Sequence, residues 1–175
     1  MTGLLGLLLA GCSPSSNERI LEFDVPYGFY GTYLQQPVGS QGQLTCKVKT
    51  HEEHRGEKWT PSVVLAAAED EAEDDTLFLS TGSASSEGQR SFEVRTFNKA
   101  KPVISNWFVS VPDDKGAYTL RLSWHADGSI DYQIASDGQW SEALSVQNPG
   151  FSVRHVSVHA TSMRGTAACE LTGGQ

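Results

Sequence analysis

Positive charge is scarce in this 175-residue chain: 13 Lys and Arg stand against 21 Asp and Glu, a formal charge of −8. Neutralising phosphates takes a basic surface, so the balance argues against nucleic-acid binding. Long hydrophobic runs are missing too. The apolar run Leu4–Ala10 is too short for a permanent transmembrane helix. Helical periodicity is nearly absent from the rest of the chain. Cysteine is sparse, at three residues, and the 17 glycines are scattered rather than repeated, which fits many turns and excludes collagen. What is present suits a globular protein: 38% hydrophobic and 19% charged residues, in a length that gives one domain with a real core.

The opening "MTGLLGLLLAGCS" closes its apolar run with small residues before Cys12, the form of an export signal. Leu9-Ala10-Gly11-Cys12 resembles the lipobox of bacterial lipoproteins. It departs from a full signal in having no Lys or Arg before the run, and a start upstream of Met1 is expected. The resemblance implies cleavage before Cys12, lipidation of its thiol, and anchoring to a membrane at the cell envelope. Residues 1–11 are then the signal peptide, 12–19 a polar tether and 20–175 the folded domain. Ser13 after the cysteine resembles outer-membrane sorting in a Gram-negative cell.

An exported chain meets oxidising conditions, so Cys46 and Cys169 are candidates for a disulfide. Leu44, Cys46 and Val48 alternate onto one strand face, and Ala167, Cys169 and Leu171 onto another. Both thiols therefore point inward with apolar neighbours. A bridge closing so long a loop stabilises by roughly 4–5 kcal/mol in the chain-entropy model.

Period-two segments recur along the chain: 20–25, 28–34, 43–50, 76–80, 90–97, 105–111, 117–125, 129–135, 139–145, 151–160 and 166–171. "SVVLAAAE" (62–69) has no clear period and fits a buried strand or a short helix. Turn signals separate the segments, among them Asp113–Gly116, Asp127-Gly128, Asp137-Gly138 and Asn148–Gly150. Eleven or twelve short strands predict an all-β fold of two packed antiparallel sheets, a jelly-roll sandwich. From about Trp59 onward, "YTLRLSWHADGSIDYQI" followed by "VSVHA" and "AACEL" resembles a concanavalin A-like lectin/glucanase sandwich. That resemblance implies neighbouring terminal strands and carbohydrate as the ligand class. Gly31-Thr32-Tyr33 resembles, faintly, the opening of a lipocalin-like closed barrel, the structural alternative.

No catalytic motif is complete. "HEEHRGE" (51–57) places His51 and His54 too close for a zinc-protease helix and reads as a polar loop after a strand. The acidic run "EDEAEDD" (69–75) lacks the alternation and Gly of a calcium loop. Its Glu69-x-Glu71-x-x-Asp74 has the spacing of the laminarinase-type glucanase motif but the wrong residue in two places. "RSFEVR" (90–95) is similar to an alginate-lyase-like strand, with Glu93 one residue too late. No cofactor or metal is called for.

The polar strand faces carry the functional reading. Alternation turns Glu93, Arg95, Arg121, His125, Asp131, Gln133 and His159 away from the apolar set. On one shared sheet they would form a face able to hydrogen-bond sugar hydroxyls and to pair Arg with uronates. Arg154-His155 shifts phase, as a bulge would. Trp124 falls with the core, Trp140 follows a turn, and Trp59 and Trp107 have no assigned place. A carbohydrate-binding envelope lipoprotein is the expected function. Alternatives are a structural or accessory envelope lipoprotein and, behind it, a polysaccharide lyase or glycoside hydrolase.

Overall fold

The computed structural model describes residues 18–71, 75–84, 88–98 and 107–173. The signal-like run, Cys12, most of the tether and residues 72–74 of the acidic run lie outside these. Among the described residues thirteen strands follow in chain order: β1 (Glu18–Asp24), β2 (Tyr30–Pro37), β3 (Gly42–Glu53), β4 (Ser62–Ala68), β5 (Asp75–Ala84), β6 (Gln89–Asn98), β7 (Trp107–Pro112), β8 (Ala117–Trp124), β9 (Ile130–Ser136), β10 (Gln139–Trp140), β11 (Leu144–Val146), β12 (His155–Thr161) and β13 (Met163–Gly173). The ambiguous segment 62–69 is a strand buried on both faces, which is why it shows no period.

All pairings are antiparallel. One sheet, sheet A, runs β1-β13-β3-β8-β9-β10, with β11 also paired to β9; the other, sheet B, runs β2-β12-β4-β5-β6-β7. Both sheets keep open edges, so the fold is a sandwich and not a closed barrel. Pro37 ends β2 and Pro112 ends β7, the two edge strands of sheet B, where a missing N–H is tolerated.

The core lies between the sheets. Leu44, Cys46 and Val48 of β3, Leu120, Leu122 and Trp124 of β8, and Ile130, Tyr132 and Ile134 of β9 point in from sheet A. Val63, Leu65, Phe92, Val94, Val156 and Val158 meet them from sheet B. The Trp124 indole N–H is satisfied by the Gly39 carbonyl at 2.9 Å. Cys46 and Cys169 stand opposite one another on β3 and β13 and form the expected disulfide.

Two bulges break the alternation on which the sequence reading relied. His51 is an extra residue in β3 opposite the Arg164–Gly165 step. It inverts the parity, so Glu53 turns inward although Leu44, Cys46 and Val48 occupy even positions. His51–Glu53 are therefore strand, not the loop expected from "HEEHRGE". Tyr33 is the extra residue in β2, and it sends Thr32 to the outer face of sheet B. The expected bulge at Arg154-His155 is absent: β12 begins at His155, and residues 151–154 precede it.

Candidate functional site

The two Asp-Gly pairs build different turns. Asp137 and Gly138 both take positive φ, 50° and 73°, and Ser136 pairs directly with Gln139; this is the two-residue hairpin that Asp-Gly favours. At the other pair only Gly128 is left-handed, in a wider loop closed from His125 to Ser129. Asp127 there accepts the Ser129 hydroxyl at 2.7 Å and the Ser129 N–H at 2.9 Å. Those two bonds hold its carboxyl below the usual aspartate range. Asp127 is thus a turn-former.

The wide loop and the tight hairpin frame a polar patch on the outer face of sheet A. Register sets Ser123 opposite Asp131 and Arg121 opposite Gln133. His125 Nε2 lies 2.8 Å from Asp131 Oδ2, and Ser145 of β11 donates to Asp131 Oδ1. Arg121 Nη1 reaches Gln133 Oε1 at 3.4 Å, and Gln133 Nε2 donates to the Ser141 carbonyl at 3.3 Å. The Arg121 guanidinium lies over the Trp140 ring, its Cζ 3.7 Å from the ring centre. Trp140 keeps 39% of its surface exposed. The result is an aromatic ring braced by a cation beside a row of hydrogen-bonding side chains.

Trp140 also walls a cleft of about 490 Å³ at the edge where the two sheets meet, within the size range of small-ligand sites. Val109, Val111 and Pro112 of β7 form its apolar side; Gln139, Ser141 and Glu142 add polar groups. The Ser136 hydroxyl donates to the Pro112 carbonyl and ties the two sheets there. A second, shallower cleft of about 300 Å³ opens across β8 and shares Asp137. The Asp137-Gly138 hairpin is the ridge between the two.

The structure gathers Arg121, His125, Asp131 and Gln133 but separates the other three candidates. Glu93, Arg95 and His159 belong to sheet B, so the single seven-residue polar face does not form. Glu93 and Arg95 pair with each other. His159 is buried, its Nε2 2.7 Å from Ser157 Oγ and its Nδ1 3.0 Å from Thr32 Oγ1. Tyr30 stacks on its ring with centroids 4.8 Å apart. Alternation reports only which side a residue faces, and two sheets of one sandwich have two outer sides.

Sequence reading missed a cross-sheet ion pair. Arg90 of β6, buried on the core face, donates to Glu53 at 2.9 Å and to Asp113 at 2.8 Å, above the Tyr118 ring. Burial works against its charge, but Tyr118, Asp113 and Glu53 outweigh it and raise its pKa above the ordinary arginine value. No run of polar residues signals this contact, because a bulge and a turn supply the two carboxylates.

No protein-family model matches the chain, and no curated protein does. Solved structures do. The chain is similar to a legume lectin-like domain from Entamoeba histolytica, with TM-score 0.56 and 11% identity, covering 89% of this chain and 88% of that one. It is similar to the VIP36 exoplasmic/lumenal domain in its Ca2+/Man2-bound form, with TM-score 0.55 and 9% identity over 91% and 82%. A functionally unknown protein from Saccharomyces cerevisiae aligns with TM-score 0.53 and 16% identity over 90% and 89%. The fold is the concanavalin A-like sandwich of the legume lectin-like domains.

Proposed function

We propose that this protein is an exported, lipid-anchored module of the cell envelope that binds carbohydrate through the β8–β10 patch and its edge cleft. The observation that carries the reading is Trp140, braced on Arg121 and partly exposed beside Gln139, Ser141 and Glu142. Sugar recognition combines an aromatic face for the pyranose C–H surface with fixed polar groups for hydroxyls. A pre-braced ring loses little freedom on binding. The shared fold with lectin-like domains supports the same class of ligand, although fold alone does not decide function. The lipobox-like Cys12 supports the anchoring. The test is a glycan array with mature protein beside a Trp140→Ala variant. Binding by the first that falls about tenfold or more in the second is the expected result; equal binding by both removes the patch from the reading.

A structural or accessory envelope lipoprotein is the second reading. It is favoured by the mutual satisfaction of His125, Asp131 and Ser145, which leaves that half of the patch occupied with itself.

A further inference from the structure

Four of the six large, exposed hydrophobic residues among the described residues fall at one end of the sandwich, in two loops and the first residue of β2. Tyr27, Phe29, Tyr30 and Trp59 are 39%, 66%, 58% and 54% exposed. Tyr27 and Phe29 come from the β1–β2 connection, Tyr30 opens β2, and Trp59 comes from the β3–β4 connection. Aromatic surface of this extent clustered in one place calls for a binding role, whereas single exposed apolar residues do not.

Neighbouring groups hold three of the rings. The Lys58 N–H donates to the Tyr27 hydroxyl at 3.0 Å, and Tyr27 lies against Gly56, where an added Cβ would fall 2.2 Å from the ring Cζ. Gly28, left-handed at φ 81°, packs under Trp59, whose Cδ1 is 3.5 Å from where its Cβ would be. The Gly28 N–H donates to Ser162 Oγ at 3.0 Å, and Thr161 Oγ1 donates to the Phe29 carbonyl at 2.7 Å. Tyr30 rests one face on the buried His159 imidazole, and Thr32 and Ser157 hold that imidazole from both nitrogens. A ring with one face on a fixed partner and more than half its surface in solvent is a stacking platform.

Three features choose among occupants. The rim carries both signs: Asp24, Glu52 and Glu57 stand with Arg55, Lys58 and Arg164. That balance, on a chain of charge −8, disfavours anionic polymers and anionic lipid. The Tyr27 ring, bonded through its hydroxyl, and the Tyr30 ring, stacked on His159, are held in place rather than adaptable, which suits rigid flat-faced ligands over apolar peptide side chains. The patch sits at the far end of β1 from Glu18, where the chain enters the sheet, roughly 20 Å away for a seven-residue strand. A lipid anchor at Cys12, as proposed above, would join the chain at the opposite end of β1 from this patch.

We infer that Tyr27, Phe29, Tyr30 and Trp59 form a second binding surface, for the pyranose rings of an uncharged glycan. It lies on the β1/β2 edge, across the sheet from Trp140. Five strand spacings, roughly 24 Å, separate β1 from β10. The inference shares its ligand class with the function proposed above but not its residues.

The test uses mature protein with Tyr30→Ala, Trp59→Ala and Trp140→Ala variants, each checked for an unchanged circular dichroism spectrum. Probes are an array of neutral oligosaccharides and sedimentation with phosphatidylcholine vesicles. Loss of oligosaccharide binding by about tenfold or more in both Tyr30→Ala and Trp59→Ala upholds the inference, whatever Trp140→Ala does. Full binding by both overturns it, and loss confined to Trp140→Ala would then leave the edge cleft standing alone. No oligosaccharide bound by the parent protein overturns both. Vesicle binding that the Tyr30 and Trp59 variants abolish overturns it in favour of a membrane-contacting surface.

Discussion

The Arg121 guanidinium carbon lies 3.7 Å from the centre of the Trp140 ring, although one residue sits mid-strand in β8 and the other follows a hairpin two strands away. Their contact converts a polar strand face into a surface with a fixed aromatic edge. Replacing Arg121 by Ala removes the brace. The expected loss of stability is about 0.5–1 kcal/mol, as for a partly exposed cation–π pair, read by urea denaturation. Arg121→Lys keeps the charge but not the planar guanidinium, and should recover less than half of any lost glycan binding.

Arg90 and Glu53 join the two sheets at 2.9 Å. Removing one member strands the other in a poorly solvated site. Arg90→Ala should cost about 3–5 kcal/mol, whereas replacing Arg90, Glu53 and Asp113 together by apolar residues of similar volume should cost much less. Chemical denaturation of the single and triple variants separates the two cases.

Asp127 gives a pH signature of known sign. Its pKa is lowered, first by the Ser129 hydroxyl and then by the Ser129 N–H. A carboxylate held below its unfolded pKa contributes stability above the ordinary aspartate range and loses it as pH falls through the lowered value. Ser129→Ala removes the larger cause. Its melting temperature should therefore lie below the parent's near pH 7, with the gap closing on acidification below about pH 3.9. A gap of constant size would show that Ser129 acts by packing instead.

The disulfide links residues 123 apart in sequence on adjacent strands of sheet A. Its removal by Cys46→Ala with Cys169→Ala should cost roughly 4–5 kcal/mol, measured by denaturant titration. Thiol titration of the denatured, unreduced parent should find neither Cys46 nor Cys169 free.

Local alternation was sufficient for much of this protein. Leu120, Leu122 and Trp124 against Thr119, Arg121 and Ser123 is the pattern of a strand with one wet face, and β8 carries that burial. The inward thiols and the all-β class follow from the same period, because a side chain's direction in a strand depends on its immediate neighbours. Partnership does not. His125 and Asp131 meet because a short loop joins their strands, and that was legible. Glu93, Arg95 and His159 share the same phase as Arg121 but belong to the other sheet, which strand order alone decides. Two single-residue bulges, His51 and Tyr33, turn Glu53 toward Arg90 and Thr32 toward His159. Long-range pairing sets where a bulge falls, so only the tertiary structure could bring together the aromatic end, the buried ion pair and the Trp140 cleft.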